Sequence, residues 1–242
     1  MTAAQGATSQ YVALGDSFAS GVGTRTYYAD SGGCYRSPKA YPVTTAARIG
    51  ATLSFRACSG AMTGDVLDNQ LATLGVGTDY VTVQVGGNDA GFSSVITTCA
   101  QPFWASNCNA AIDKAQALIR TTLPGRLDEV YSSIRTKAPN ATVAVVGYPR
   151  LFNGEDCNAG TWFSPAEMTR LNATADLLNA TTKGRADAGS YSFTNPTSAY
   201  LAHAVCDSAE WVNGLSNPTR ESYHPNVKGQ GAYADLVDNH LS

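Results

Sequence analysis

Two hydrophobic periods share this chain. Short β-branched and apolar runs that end in glycine, Tyr11-Val12-Ala13-Leu14-Gly15 and Tyr80-Val81-Thr82-Val83-Gln84-Val85 before Gly86, read as buried strands. Strands are expected over about 10–15, 52–57, 80–85, 142–147 and 190–194. Helical spacing occupies about 40–49, 64–73, 109–137, 165–187 and 226–240. Within the longest of these, Ile112, Ala115, Leu118, Ile119, Leu127, Val130 and Ile134 fall along one face. Pro124 is expected to kink or break it, because proline removes a ladder donor and clashes with the preceding turn. Ser164-Pro165-Ala166-Glu167 is a capping box with proline at the first helical position, so a helix starts there. Strands alternating with helices predict an α/β fold with a mostly parallel sheet covered on both faces. With no internal repeat and no linker-like tract, residues 1–242 are expected to form a single domain, with 1–9 as a flexible N-terminal segment.

The first strand runs into Asp16-Ser17-Phe18, which places a hydroxyl at the carboxyl end of a strand, where ligands of open α/β sheets bind. The third ends in Gly86-Gly87-Asn88-Asp89, and the last loop holds Glu221-Ser222-Tyr223-His224-Pro225. Nucleophile, oxyanion donor and base are the parts of a serine hydrolase. Of the three histidines, His240 lies in a terminal helix beside Asp238 and Asn239, and His203 falls in a loop ending at Cys206. Only His224 precedes a proline at a helix start. Two other motifs fail: Gly21-Val22-Gly23-Thr24-Arg25-Thr26 lacks the third glycine of a dinucleotide loop, and Gly15-Asp16-Ser17-Phe18-Ala19 lacks the last glycine of GxSxG.

The segments GDSF at 15–18, CSGA at 58–61, GGND at 86–89 and ESYHP at 221–225 resemble the SGNH (GDSL-type) hydrolase family. The likeness is greatest to secreted actinobacterial lipases, esterases and phospholipases of A type. The resemblance implies a flavodoxin-like three-layer sandwich with five parallel strands ordered 2-1-3-4-5. It implies Ser17 as nucleophile, His224 as base, and an oxyanion hole made by Ser17, Gly60 and Asn88. An aspartate commonly stands three residues before the histidine, and here that position is Glu221. Glu221 is therefore expected to orient the imidazole, with the Ser222 backbone carbonyl as the alternative acceptor. Arg150, at a strand end, is a candidate partner for Glu221 or for an anionic head group; a structural ion pair is the alternative. Tyr27, Tyr28, Phe92, Phe103 and Trp104 are candidates for an apolar acyl groove on loops. Asp16 and Asp89 are read as groups that hold loops. The expected activity is hydrolysis of lipid carboxylic esters through an acyl-enzyme, without metal or cofactor. The alternatives are a carbohydrate acetyl esterase, and a non-catalytic lipid- or carbohydrate-binding module on the same scaffold.

Composition narrows the setting. Charged residues make up 14% of the chain and the net charge is −3, which leaves no electrostatic footprint for nucleic acid. No apolar run reaches the roughly 18 residues of a membrane span. Six cysteines stand apart with no CxxC pair, which disfavours zinc and fits three disulfides in an oxidising compartment. The resemblance implies the pairing Cys34–Cys58, Cys99–Cys108 and Cys157–Cys206. A secreted monomer is expected. Met1-Thr2-Ala3-Ala4-Gln5 has neither charged n-region nor apolar h-region, so the chain reads as a mature protein behind an added initiator Met.

Overall fold

The computed structural model describes residues 8–241. The expected flexible segment at 1–9 falls mostly outside them. Ser9 is already tied to the sheet, its carbonyl accepting from the Thr52 amide at 2.8 Å. Strands β1 (Gln10–Gly15), β2 (Thr52–Phe55), β3 (Tyr80–Gln84), β4 (Thr142–Val146) and β5 (Ser192–Thr194) form one sheet in the order 2-1-3-4-5. Every pairing is parallel. The near-continuous apolar runs of the inner strands β1, β3 and β4 are buried, as a parallel sheet covered by helices requires, whereas the edge strands β2 and β5 are only partly covered.

Helices α1 (Ser17–Ser20), α2 (Tyr41–Ile49), α3 (Thr63–Asn69), α4 (Phe92–Cys99), α5 (Cys108–Thr121), α6 (Leu123–Lys137), α7 (Pro165–Ala188) and α8 (Val227–Leu241) complete the sandwich. Helices α2 and α8 pack on each other, and α8 lies against β4 and β5; α3 to α7 pack among themselves, with α7 also touching β4 and β5. The expected break in the long helical stretch falls at Thr122, with Pro124 in the first turn of α6, where its missing N–H leaves nothing unpaired. Helix α4 is not among the sequence expectations. Its Ser, Val, Ile and Thr residues are poor helix formers, and it forms because Val95, Ile96 and Cys99 are buried beneath it.

The strand order reverses at β1, which has β2 on one side and β3 on the other. The crevice outside the carboxyl ends of β1 and β3 is thus the switch point where such sheets bind ligands. Gly15 pairs with Gln84 in register at that end. It has φ +140°, and a Cβ there would lie 2.3 Å from the Gln84 carbonyl oxygen, so only glycine lets the strands approach so closely. The buried Gln70 amide accepts from the Gly15 N–H at 2.8 Å and donates to its carbonyl at 2.9 Å.

The cysteines pair as Cys34–Cys58, Cys99–Cys108 and Cys157–Cys206. The first ties the segment after α1 to the turn that holds Gly60, where the Ser59 amide also donates to the Cys34 carbonyl at 3.1 Å. Closing this 24-residue separation restricts the unfolded chain. A Cys34→Ser/Cys58→Ser variant should lose roughly 3 kcal/mol in denaturant unfolding. Its turnover at temperatures well below its midpoint should fall too, because the Gly60 turn is loosened.

Candidate active site

Asp16 caps the single turn of α1, its Oδ1 accepting from the Phe18 amide at 2.9 Å. Ser17 is therefore held at the first helical position, at the mouth of the crevice. Its Oγ lies 2.8 Å from Nε2 of His224. On the other side of the ring, Nδ1 lies 2.9 Å from the Ser222 carbonyl oxygen. A carbonyl can only accept, so Nδ1 carries the proton and Nε2 presents its lone pair to the Ser17 hydroxyl. Phe18 and Phe92 pack against the imidazole with ring centroids 5.1 and 6.0 Å away. Burial pushes the His224 pKa down to about 4, against the opposing pull of the Ser222 carbonyl and the Glu221 charge.

The backbone bends sharply to bring Ser222 back to the ring. Tyr223, between them, has φ +58°, a left-handed conformation costly for a bulky residue. It is held there by Phe152 and Phe163, which pack on its ring, and by Asn213. The Asn213 carbonyl accepts from the Tyr223 amide and its N–H donates to the His224 carbonyl, both at 2.9 Å. Its side chain donates to the Gly23 carbonyl at 2.8 Å and the Glu221 carbonyl at 3.2 Å. Asn213 was not singled out from the sequence, because a loop asparagine carries no motif; Tyr223 stood within the ESYHP segment, but its left-handed backbone was not foreseen.

Glu221 does not meet the imidazole. Its buried carboxylate accepts from the Gly23 amide at 2.8 Å and the Tyr27 hydroxyl at 2.5 Å, with Arg220 4.0 Å away. Of the two acceptors expected for Nδ1, the Ser222 carbonyl has the geometry and the Glu221 side chain does not. The physical reason is reach. The carboxylate is turned toward the loop after α1, where two donors satisfy it. Arg150 is likewise away from this cluster, forming a two-pronged ion pair with Asp176 on the exposed face of α7, at 2.6 and 2.9 Å.

Gly60 and Asn88 line the same cleft as Ser17 and His224, a space of about 450 Å³. Gly60 has φ +81°, which turns the backbone as few side-chain-bearing residues allow; a Cβ would meet nothing there, so the requirement is conformational. The Asn88 side chain donates one hydrogen to the Ala61 carbonyl at 3.0 Å, leaving its second for the cleft. Asp89 fastens the two turns together: it accepts from the Thr63 amide and hydroxyl at 3.0 and 2.7 Å, and from Arg126 at 3.0 Å. Tyr148 does the same between Asn88 and Ser17. Its hydroxyl donates to Asp16 Oδ2 at 2.6 Å and accepts from the Gly87 amide at 3.3 Å. Burial raises the Asp16 pKa to about 7, although Tyr148 and the Phe18 amide pull it back.

Of the candidate groove aromatics, Phe92 opens α4 and lines the cleft, whereas Tyr27 is committed to Glu221. Tyr28, Phe103 and Trp104 are exposed and absent from the cleft wall. A second, almost wholly apolar pocket of about 70 Å³ adjoins the cleft across Phe92 and Ile96 and reaches Phe18, Tyr148, Leu171 and Leu178. Among the described residues, Cys157, Cys206 and Glu210 form a group spaced like metal ligands, but both sulfurs are joined to each other.

Residues 13–232 match the family described as GDSL-like lipase/acylhydrolase. The chain is 45% identical over 222 residues to a lipase of Streptomyces rimosus, covering 91% of this chain and 82% of that one. The solved structure of an extracellular lipase from Streptomyces rimosus matches with TM-score 0.90 and 43% identity, over 96% of this chain and 100% of that one. That of phospholipase A1 from Streptomyces albidoflavus NA297 matches with TM-score 0.91 and 43% identity, over 97% and 100%.

Two outcomes follow from this geometry. Because Glu221 does not touch the ring, Glu221→Ala should lower turnover by about tenfold or less, against ~10⁴ for the loss of a residue that sets the histidine tautomer. The same variant should cost roughly 1–3 kcal/mol in unfolding, because the buried Gly23 amide loses its 2.8 Å acceptor and keeps only the Tyr27 hydroxyl at 3.3 Å. An unperturbed imidazole would place the pH limb near 6.5. Burial favours neutral imidazole, so the histidine limb of kcat/KM on a soluble ester should lie near 4, with activity falling as the ring takes up a proton below about pH 5. Repeating the profile with Asp16→Asn should remove any inflection near 7 and leave the low limb; a limb that stays at 6.5 would contradict the burial argument.

Proposed function

The chain belongs to the GDSL-like lipase/acylhydrolase family and is a carboxylic ester hydrolase of the lipase kind; on that premise we propose that Ser17 is its nucleophile and His224 its base, working as a dyad oriented by the Ser222 carbonyl. The observation that carries this is the 2.8 Å contact between Ser17 Oγ and His224 Nε2 in a cleft lined by Gly60 and Asn88. Ser17 Oγ attacks the ester carbonyl carbon while its proton passes to Nε2. The N–H groups of Ser17, Gly60 and Asn88 receive the negative charge that develops on the carbonyl oxygen. Imidazolium then gives the proton to the leaving alcohol oxygen, and the acyl group stays on Ser17. Water enters, loses a proton to Nε2 and attacks the acyl carbon, and the carboxylic acid departs as Ser17 regains its proton. No step is routed through a metal.

The substrate is a lipid ester with an extended acyl chain. The apolar pocket beside Phe92 and Ile96 supports this, since a saturated chain gains about 0.8 kcal/mol per methylene buried. An acetyl group would leave that wall unused, which weighs against a carbohydrate acetyl esterase. The likeness to a phospholipase A1 supports diacyl phospholipids among the substrates. Three disulfides and the likeness to an extracellular lipase support an exported protein. Motifs at both ends of the chain contribute to one site, so a single chain serves as both domain and working unit.

Treatment with a fluorophosphonate should give one adduct, on Ser17 by peptide mass spectrometry, and labelling should persist in EDTA. Ser17→Ala should abolish both labelling and turnover; an adduct on another residue, or near-parental turnover in the variant, rejects the mechanism. Across p-nitrophenyl esters from acetyl to palmitoyl, kcat/KM should be highest for chains longer than acetyl, and a preference for acetyl would restore the esterase reading.

A further inference from the structure

The rim of the cleft carries large apolar side chains that the fold leaves in water. Phe103 is 84% exposed and Trp104 73% exposed, and they stand one residue beyond Ala100 and Gln101, which line the cleft. Across from them Trp162, 51% exposed, follows the lining residue Thr161, and Leu215, 42% exposed, lines the cleft itself. Burial does not explain the position of Phe103 and Trp104. They stack edge to face at 5.1 Å on a loop whose ends are joined by Cys99–Cys108. The covalent link closes this loop at its base, and both rings remain in water, where apolar surface is unfavourable.

Charge patterning sets this face apart. Residues 90–112, 157–166 and 211–219 contain no Asp, Glu, Lys or Arg, although the chain carries 19 acids and 16 bases. Arg220, half-exposed on the cleft wall, and exposed Arg25, whose guanidinium donates to Ser216 Oγ at 3.3 Å, are cations at its edge, and Glu221 beside Arg220 is buried. Three segments with exposed tryptophan and phenylalanine, no carboxylate of their own and guanidinium groups at their edge complement a phosphate-bearing lipid surface. We propose that this rim docks on a phospholipid bilayer surface, with Phe103, Trp104, Trp162 and Leu215 entering the interface and Arg220 facing the phosphate layer. The proposal rests on the lipid-ester reading above. Docking in this way presents the mouth of the cleft to the bilayer, so a lipid could pass from one to the other with little exposure of its chains.

The test uses the full chain with Ser17→Ala, so that vesicles are not consumed, and phosphatidylcholine vesicles with and without phosphatidylglycerol. The protein should float with vesicles, more strongly when phosphatidylglycerol is present, and its tryptophan emission should shift to the blue as Trp104 and Trp162 leave water. Adding Phe103→Ser/Trp104→Ser, or Trp162→Ser, should weaken flotation by about tenfold or more, since each change removes an interfacial anchor. In the Ser17 parent the same changes should lower vesicle hydrolysis to a similar degree and leave kcat/KM on p-nitrophenyl butyrate within about twofold. Undiminished flotation in the variants overturns the proposal. So does an equal loss on the soluble ester, or a dimer of the Ser17→Ala chain that the rim changes dissociate, which would make a second copy the occupant. If the parent cleaves soluble esters and binds no vesicles, docking fails and the ester reading stands. If it binds vesicles and cleaves no long-chain ester, the lipid-substrate reading fails and docking stands.

Discussion

Because a carbonyl oxygen can only accept, the contact from Ser222 to Nδ1 of His224 determines where the imidazole proton sits, and with it what Nε2 can do. Much of the surrounding structure serves that contact. Tyr223 takes a left-handed backbone so that the carbonyl two residues before the ring can reach it. Asn213 bonds the backbone on both sides of the bend, and Glu221, the residue before Ser222, is pinned through its side chain to Gly23 and Tyr27. The carboxylate thus acts on the loop that carries the histidine, one residue before the carbonyl that meets the ring. A neutral carbonyl in the orienting position leaves the buried Glu221 carboxylate on its own donors, Gly23 and Tyr27, while burial disfavours the charged form of the histidine.

The other half of the site is a set of turns clamped to one another. Tyr148 spans the strand ends, bonding Asp16 before Ser17 and Gly87 before Asn88. Asp89 ties the Asn88 turn to Thr63, three residues after Gly60, and Asn88 itself bonds Ala61. The Cys34–Cys58 link fixes the same turn from the other side. Donors held in this way need little reorganisation when charge develops between them, which is where electrostatic stabilisation gains most over water. Satisfying these groups internally matters because Asp16, Asp89 and the Gly87 amide are buried, and an unpaired polar group there costs about as much as a lost hydrogen bond.

Much of this was legible along the chain, for a physical reason: local periodicity and turn chemistry are properties of neighbouring residues. The five strands, the capping box at Ser164, the helix break near Pro124 and the glycine-ended strand tips all express short-range sterics. The residues now gathered in the cleft, Ser17, Gly60, Asn88 and His224, stood in short segments distinctive enough to be picked out. The disulfide pairing and the strand order came from likeness to a family, and neither spacing nor periodicity contained them. Helix α4 escaped notice because its local preferences oppose the state that burial imposes.

What only the tertiary structure decided is which groups meet across long separations. Glu221 and the Ser222 carbonyl are adjacent in sequence, and the motif pointed to Glu221 as the orienter; the structure gives the carbonyl that contact because Gly23 and Tyr27, nearly 200 positions away, take up the carboxylate. Arg150 points to Asp176 because α7 passes beneath it. Gln70, Gln84 and Gln230 complete backbone groups at Gly15, Gly147 and Phe18 where the sheet and first helix leave them open, and no local pattern marks those glutamines for the interior. A sequence states which chemical groups are present and how each stretch prefers to fold. The partner of a buried polar group is set by whichever donor or acceptor the packed elements bring within about 3 Å, and that distance exists only once the sheet and its helices have closed.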